Sequence, residues 1–385
     1  MSQIDRAYLP GDEVQINQLY GRITGAYRNE DEYRWQWIDT WNGQANIWLA
    51  FEDTRPEDDQ LIGQYSLIPT PLSFWGKKVL TGRTENCMSH PDYRGKGMYF
   101  FHEKKYFEVA KSLYQVFFTT AGHVAKGAPG KVRHKLGYRP FDYWVTYSLW
   151  LDKSEMTKEV YSKLPKILKK WALLGKIVSW IVSSILLWLA ATPKNMNSEN
   201  FKDFGEEQAP LTDIENLWQD NADLYGISVD RSKEYMGWRL KDNPYVSHRF
   251  LCTYASGRLI GYIIYTVQDG VVHLVDILGD TKDKAIFRAL FDQMRKISIS
   301  KGYKLMKCHT LSKNEFLIDR LREGKFMNYA GLFANIKRGK DETPMQFFVY
   351  AAEELETEMD VWDNQSWYIT DLVKEGRPYT ARLIG

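Results

Sequence analysis

The sequence predicts an α/β protein built from two tandem copies of one mixed helix-and-sheet unit. At 385 residues the chain is long enough for two domains of ordinary size. Its content of 44% hydrophobic and 26% charged residues is typical of a folded globular protein. The strongest observation is an internal repeat, because the aromatic motif Glu32–Trp37 returns as Glu234–Arg239, each time followed by two strand-like runs joined by a polar turn.

Each copy shows the same order of predicted elements, namely helix, strand hairpin, long strand, helix, strand, helix and strand. The predicted domains are residues 1–152 and 197–385, joined by an apolar helical linker over 153–196. In the first copy we expect strands at Ile47–Glu52, Leu61–Ile68, Lys78–Met88 and Val116–Thr120, with a helix near 97–112. In the second copy we expect strands at Arg249–Tyr254, Leu259–Val267, Val271–Leu278 and Lys304–His309, with a helix near 283–300.

The stretch His90–Met98 lies between the long strand of the first copy and the helix that follows it, and it contains spaced glycines and basic residues. The N–H groups in the first turn of a helix have no intrahelical partner, and the helix dipole adds about half a positive charge there. Gly95 and Gly97 would let the backbone approach a phosphate, while Arg94 and Lys96 would add full charge. The sequence therefore predicts a diphosphate site here.

The loop Arg94-Gly95-Lys96-Gly97-Met98 resembles the acyl-CoA pyrophosphate loop of the GCN5-related N-acetyltransferase (GNAT) superfamily, although Tyr99 stands where that motif ends in Gly or Ala. The resemblance implies two tandem GNAT-like domains, with acetyl-CoA or another acyl-CoA held between a splayed fourth and fifth strand of the first copy. The second copy has no such loop in Gly279–Lys284, so we expect no CoA there. The implied cofactor-binding residues are Cys87, Met88, Ser89, Arg94, Gly95, Lys96, Gly97 and Met98.

The same resemblance implies where the catalytic groups lie. Glu85, on the fourth strand, is the first candidate for general base, and the alternative is a glutamate paired with Arg83. His123 is the second candidate for an acid or base, and the alternative is a surface loop histidine. Arg133 stands where many family members have a tyrosine acid, and it would stabilise the leaving thiolate by its charge.

The tryptophans, histidines and cysteines are the remaining residue types that bear on a site. Trp35 and Trp37 would stack on a sugar acceptor, and the alternative is that they pack in the core. The histidines show no metal-ligand spacing, so no metal is predicted. Three widely spaced cysteines indicate neither a disulfide framework nor a zinc site, and they favour a reducing, cytoplasmic setting.

Trp171–Ala191 is a nearly uncharged apolar stretch between the copies. Its length permits a spanning helix, but Lys176 and three serines weaken that interpretation, and spanning would separate the copies. Two interpretations remain open: a core helix buried between the copies, or a helix lying in the lipid headgroup region beside Lys163–Lys170. The second would make the protein peripheral at the inner face of the membrane.

The leading hypothesis is an acyl-CoA-dependent acyltransferase, with acetyl the expected group. Its acceptor would be an amine or hydroxyl of a sugar or lipid-linked polysaccharide precursor, because two-copy chains with tryptophan-rich openings resemble GNAT-like proteins of bacterial surface polysaccharide biosynthesis. The net charge of +2 argues against a nucleic-acid partner. The alternatives are a Fem-type aminoacyl transferase and a non-catalytic membrane-associated scaffold with a vestigial CoA site. No role is assigned to the tail after Glu358.

Overall fold

The computed structural model describes residues 3–119, 128–164, 172–189, 200–329 and 345–379. The first copy has the predicted element order, and its second helix begins at a capping box in which Asn29 and Glu32 each bond the other's backbone N–H at 2.9 Å. Its elements are β1 (Gln3–Ala7), α1 (Glu13–Thr24), α2 (Glu30–Trp37), β2 (Asn46–Glu52), β3 (Leu61–Phe74), β4 (Lys77–Thr84), β5 (Met88–Ser89), α3 (Met98–Ala110), β6 (Val116–Thr119), α4 (Ala128–Lys135) and β7 (Arg139–Trp150).

In the described part of the connection between the copies lie the helices α5 (Lys153–Lys163) and α6 (Ala172–Leu189). The second copy then repeats the order, except that its α8 continues directly into a π-helical turn over Gly237–Lys241. Its elements are β8 (Phe201–Phe204), α7 (Leu211–Gln219), β9 (Ile227–Val229), α8 (Lys233–Met236), β10 (Arg249–Ala255), β11 (Arg258–Gln268), β12 (Val271–Gly279), α9 (Lys284–Ser300), β13 (Leu305–Leu311), α10 (Glu315–Glu323), β14 (Gln346–Ala351), α11 (Glu353–Glu358) and β15 (Trp367–Tyr368).

The two copies exchange their last strands. β7, the last strand of the first copy, pairs with β14 over Arg139–Tyr143 and with β13 over Trp144–Trp150. β14, the last strand of the second copy, lies between β6 and β7. The described strands therefore form one continuous sheet, whose main path runs β1-β2-β3-β4-β6-β14-β7-β13-β12-β11-β10-β8.

The predicted hairpins, helices and repeat order are confirmed, and the long strand differs from its prediction in one respect. The run expected at Lys78–Met88 is interrupted after Thr84, and pairing with β3 resumes at Met88. Asn86, in the interruption, has a φ of +45°, which a side chain rarely adopts. Beyond this point β4 and β6 diverge, because their parallel pairing covers only Thr81–Arg83 against Val116–Phe118.

Helix α6 exposes most of its large apolar residues, and Leu186 is the one that packs in a core with Met156 and Val160. Gly175, Ser179 and Ser183 are buried on the inner face, and small residues there let the helix pack against α5. The interpretation of a helix buried on all sides is wrong for the outer face, because six large apolar residues are exposed. They are Leu173 (75%), Leu174 (47%), Ile177 (47%), Trp180 (56%), Ile181 (46%) and Ile185 (52%). No helix within the described ranges is long and apolar enough to cross a membrane.

Candidate functional site

The glycine-rich loop leads directly into α3 and holds its glycines in the left-handed backbone region. Gly95 has a φ of +75° and Gly97, which caps α3, a φ of +80°. A Cβ at Gly95 would meet no atom within 4 Å, so it is the backbone conformation rather than space that requires glycine there. Arg94 and Lys96 are exposed on either side of Gly95. The loop thus presents two cations next to the unpaired N–H groups of a helix start.

His90 fixes the entry to this loop. Its ring is 2% exposed, and its Nδ1 accepts the backbone N–H of Asp92 at 3.2 Å, which starts a single helical turn before Arg94. Burial, and then the charge of Arg55, lower the pKa of His90, so the neutral ring is favoured. A neutral imidazole can accept this N–H, and His90 therefore positions the loop rather than binding a ligand itself.

The residues expected to hold the thioester lie where the long strand is interrupted. Cys87 is half-buried, Met88 is 3% exposed in the core, and Ser89 pairs with Gly63 of β3. Met98, at the start of α3, packs over the same Gly63, where a Cβ would lie 3.5 Å from the Met98 side chain. The interruption and the glycine-rich loop are therefore held together by contact with β3.

Tyr99 points inward, and this explains how an aromatic residue fits after the loop. Its hydroxyl is buried beside Cys87 and Arg133, and burial, followed by Cys87, raises its pKa well above the usual range. Arg133 is 3% exposed and pairs with the buried carboxylate of Glu103 on α3. Because Glu103 offsets its charge, Arg133 is poorly suited to the expected role of stabilising a thiolate.

Glu85 lies in the interruption with its side chain 9% exposed. Its carboxylate approaches Arg83 Nε at 3.7 Å, as the alternative interpretation expected, but Arg83 also donates to the carbonyl of Val373 at 2.6 Å. Burial, and then the neighbouring Glu375, raise the pKa of Glu85 well above its usual range. Glu85 therefore favours its protonated form, which can donate a proton but cannot accept one.

Trp35 and Trp37 are buried. Trp37 is fully enclosed in the core, and Trp35 is 6% exposed and stacks on Trp238 with ring centroids 5.1 Å apart. Trp35 contributes to the wall of a surface cleft of about 770 Å³ between α2 and the π-helical turn. A sugar-stacking role for these two rings does not fit, because neither offers a free face. The other predicted base, His123, lies outside the described residues.

The matching cleft of the second copy is filled by the chain itself. β12 and β13 pair only over Val271–Leu274 and Leu305–Cys308, and then diverge as β4 and β6 do. Tyr368 donates to the carbonyl of Ile277 at 2.6 Å, and Thr310 donates to that of Ile369 at 2.7 Å. Residues 368–370 thus occupy the space between the two strands, which supports the expectation that this copy binds no CoA.

The sequence reasoning missed the segment Asp371–Tyr379. Its Asp371 accepts bonds from His309 Nδ1 at 2.7 Å and from the Tyr379 hydroxyl at 2.6 Å, and it pairs with Lys374 at 2.6 Å. These contacts close the segment into a loop, and its Val373 carbonyl accepts a bond from Arg83, which also lies beside Glu85 in the first copy. Nothing in the local pattern signals this, because the partners lie up to 290 positions apart in the chain. Within the described ranges, no group of three or more His, Cys, Asp or Glu residues is placed to hold a metal ion.

Residues 9–101 match the family model of the acetyltransferase (GNAT) domain. No curated protein sequence matches the chain. Similar solved structures include a probable N-acyltransferase from Enterococcus faecalis V583, with a TM-score of 0.57, 12% identity and coverage of 92% of this chain and 73% of that one. A tandem GNAT protein of the clavulanic acid biosynthesis pathway has a TM-score of 0.50, 11% identity and coverage of 91% and 98%.

A third similar structure is Saccharomyces cerevisiae N-myristoyltransferase with bound myristoyl-CoA, with a TM-score of 0.51, 12% identity and coverage of 91% of this chain and 82% of that one. Residues 9–101 therefore resemble an acetyltransferase (GNAT) domain, and the chain as a whole has the fold of the tandem GNAT protein. At these identities the solved structures establish the fold, while the matched domain supports an acyltransferase enzyme.

Proposed function

We propose that this chain is a GNAT-type acyltransferase that uses acetyl-CoA and acts on an amine or hydroxyl of a sugar or lipid-linked polysaccharide precursor. The observation that carries the proposal is the glycine-rich loop at the start of α3, with Arg94 and Lys96 exposed beside it. Cys87, Met88 and Ser89 lie next to it, where β4 and β6 part. Backbone N–H groups at such a position would hold the diphosphate and polarise the thioester carbonyl.

One cofactor should bind each chain. The second copy has no spaced glycines with an arginine at this place, and Asp280 and Asp283 there would repel a diphosphate. Its cleft between β12 and β13 is also occupied by residues 368–370, which bond to both strands. The first copy would therefore bind the cofactor, and the second copy would support the wall of the site.

Calorimetric titration of acetyl-CoA tests the cofactor site. Wild type should bind one acetyl-CoA in the micromolar range, and Arg94→Glu should weaken binding by about 100-fold because a repelling charge replaces a charged donor. Lys282→Glu, in the corresponding loop of the second copy, is the matched control and should bind as wild type does. Absence of heat with acetyl-CoA, longer acyl-CoAs and free CoA would overturn the proposed function.

The outer face of α6 supports the lipid-linked part of the proposal. Six large apolar side chains are exposed there, while Leu186 on the opposite face packs in a small core with Met156 and Val160. The helix is therefore apolar on its solvent-facing side as well as on its packed side. Residues 160–198 contain six lysines and no aspartate or glutamate. This charge favours an anionic lipid surface over a protein partner, because each lysine near such a surface adds about 1 kcal/mol.

Vesicle sedimentation tests this contact. Wild type should sediment with phosphatidylglycerol vesicles and much less with phosphatidylcholine vesicles, and the triple variant Ile177→Gln, Ile181→Gln and Ile185→Gln should remain in the supernatant. Val109→Gln with Leu113→Gln is the control, because Val109 on α3 and Leu113 just after α3 are 48% and 49% exposed but far from α6 in sequence. Wild type that ignores both vesicles, or that forms a dimer abolished by the triple variant, would contradict membrane contact.

A further inference from the structure

An exposed aromatic ring lies one helical turn after the glycine-rich loop. Phe101, on α3, is 69% exposed, and no other phenylalanine is exposed in the part of the chain that the structure describes. Helical side chains lean toward the preceding turn, so this ring reaches back over the loop. A Cβ at Gly97 would lie 3.6 Å from the Phe101 ring. Phe101 therefore covers one edge of the loop while most of its ring stays open to solvent.

A second ring and a cation extend this surface toward α4. The rings of Phe100 and Phe101 meet edge to face, with centroids 5.5 Å apart. Lys135, the last residue of α4, holds its Nζ 5.7 Å from the centre of the half-buried Phe100 ring. We call Phe100, Phe101 and Lys135 the α3–α4 patch. It joins an open aromatic face to a positive charge directly beside the glycine-rich loop.

The cations of the loop and of the patch are not paired with carboxylates. Arg94, Lys96 and Lys135 are exposed, and none of them forms an ion pair or a side-chain hydrogen bond with a residue that the structure describes. Lys111, just after α3, differs in this respect because it pairs with Glu108 at 2.9 Å. The charges beside the loop are therefore available to an anionic ligand.

The loop and the parted strands set the direction in which an acyl-CoA would lie. Backbone N–H groups at the start of α3 suit the diphosphate, and the thioester arm would run toward Cys87–Ser89, where β4 and β6 part. In CoA the diphosphate joins this arm to 3′-phosphoadenosine. The nucleoside end would therefore leave the loop on the side away from the strands, at the protein surface.

The α3–α4 patch fits the chemistry of that nucleoside. An adenine base has a flat face that stacks on an exposed aromatic ring such as Phe101, and this contact needs no particular hydrogen-bond pattern. A 3′-phosphate carries negative charge that a lysine can pair with. Phe100 holds both groups in place, because its ring contacts Phe101 on one side and Lys135 on the other.

We propose that the α3–α4 patch binds the 3′-phosphoadenosine end of acyl-CoA, an inference that rests on the proposed function. Phe101 stacks on the adenine, and Lys135 pairs with the 3′-phosphate. The patch thereby selects the acyl donor. The protein takes its acyl group from a free CoA thioester rather than from an acyl carrier protein, whose phosphopantetheine has no adenosine.

Calorimetry with two matched ligands tests the ring. Acetyl-CoA and acetyl-4′-phosphopantetheine carry the same thioester arm, and only the first contains adenosine. Phe101→Ala should weaken acetyl-CoA binding by about 10-fold, the size of the loss when one base–aromatic stack is removed. Its affinity for acetyl-4′-phosphopantetheine should stay within about 2-fold of wild type. Phe101→Trp keeps an aromatic face and should bind acetyl-CoA as wild type does.

Acetyl-3′-dephospho-CoA tests the lysine. Lys135→Gln should weaken acetyl-CoA binding by about 5-fold, because one exposed charge pair is lost, and should leave the affinity for the dephospho ligand unchanged. Lys111→Gln is the matched control and should bind both ligands as wild type does.

The outcomes separate this inference from the proposed function. If wild type binds acetyl-CoA and Phe101→Ala binds it equally well, the adenosine lies elsewhere and the inference is overturned. Equal losses of both ligands in Phe101→Ala would mean that the ring only shapes the loop, which also overturns it. Wild type that binds no CoA ligand would refute the proposed function itself, and the inference with it.

Discussion

At the scale of single residues, the protein contains histidines that are kept neutral by burial. His248 is 3% exposed, its Nδ1 donates to the Leu240 carbonyl at 3.0 Å, and burial, followed by Arg239, lowers its pKa to about 3. His273 is 6% exposed and stacks on Tyr379 at 3.7 Å, and burial, followed by His309, lowers its pKa to about 3. Neither ring can be protonated at mild pH while the chain stays folded.

These pKa shifts predict a loss of stability in mild acid. In the unfolded chain each histidine binds a proton below about pH 6.5, and in the folded chain only near pH 3. The unfolded state therefore gains protons first as pH falls, and each histidine should lower the free energy of unfolding by about 2 kcal/mol between pH 7 and pH 5. Urea unfolding at the two pH values measures this change.

His248→Gln isolates the contribution of one ring, because glutamine can still donate to the Leu240 carbonyl. The drop in the free energy of unfolding between pH 7 and pH 5 should be smaller in this variant by about 2 kcal/mol. An equal drop in variant and wild type would show that His248 is not kept neutral in the folded protein.

At the scale of elements, α2 and α8 with its π-helical turn meet in a nearly symmetric contact. The indole N–H of Trp35 donates to the Trp238 carbonyl at 2.7 Å, and that of Trp238 donates to the Trp35 carbonyl at 2.9 Å. In the repeated motif, Trp238 stands one position later than Trp35. A π-helical turn holds more residues than an α-helical turn, and this extra residue brings Trp238 round to face Trp35.

A double-mutant cycle on this contact should show strong coupling. Trp35→Ala and Trp238→Ala should each cost about 3–5 kcal/mol of stability, and the double variant should cost less than the sum because both remove the same stacking and hydrogen bonds. Chemical unfolding measures all four proteins. Trp180→Ala, on the exposed face of α6, is the control and should change stability by less than about 0.5 kcal/mol. Additive effects would mean that the two rings act independently.

At the scale of the whole molecule, the exchanged strands join the two copies into one sheet. The first copy relies on β14 to cover the edge of β6, and the second relies on β7 to cover the edge of β13. An open strand edge leaves unpaired backbone groups, which is costly in a sheet with its faces buried. Neither copy can therefore lose its partner and keep its own core.

This arrangement predicts that the two copies unfold together. Native-state hydrogen exchange should give equal global opening free energies for amides of β3 and of β11, and urea unfolding should show one transition. Phe348→Ala, at a fully buried position of β14, should lower the opening free energies of the β3 and β11 amides equally, by about 3–4 kcal/mol. Two transitions, or a loss of protection confined to one copy, would contradict the prediction.

The sequence by itself determined the features that local pattern encodes. The internal repeat, the strand hairpins, the α3 and α9 helices and the glycine-rich loop follow from periodicity, turn residues and spacing, and the structure contains each of them. The sequence also predicts that the second copy has no diphosphate loop, because such a loop depends on residue types in one short stretch. These properties are set by neighbours in the chain, so a single sequence is enough to predict them.

Only the tertiary structure decided which distant residues meet. The exchange of β7 and β14, the filling of the second cleft and the bond from Arg83 to the Val373 carbonyl all join positions that are far apart in sequence. Trp35, expected to stack on a sugar acceptor, instead stacks on Trp238 in the core. The physical reason is that long-range contacts arise from packing the whole chain, and the protonation states of buried groups depend on the charges that this packing brings to them.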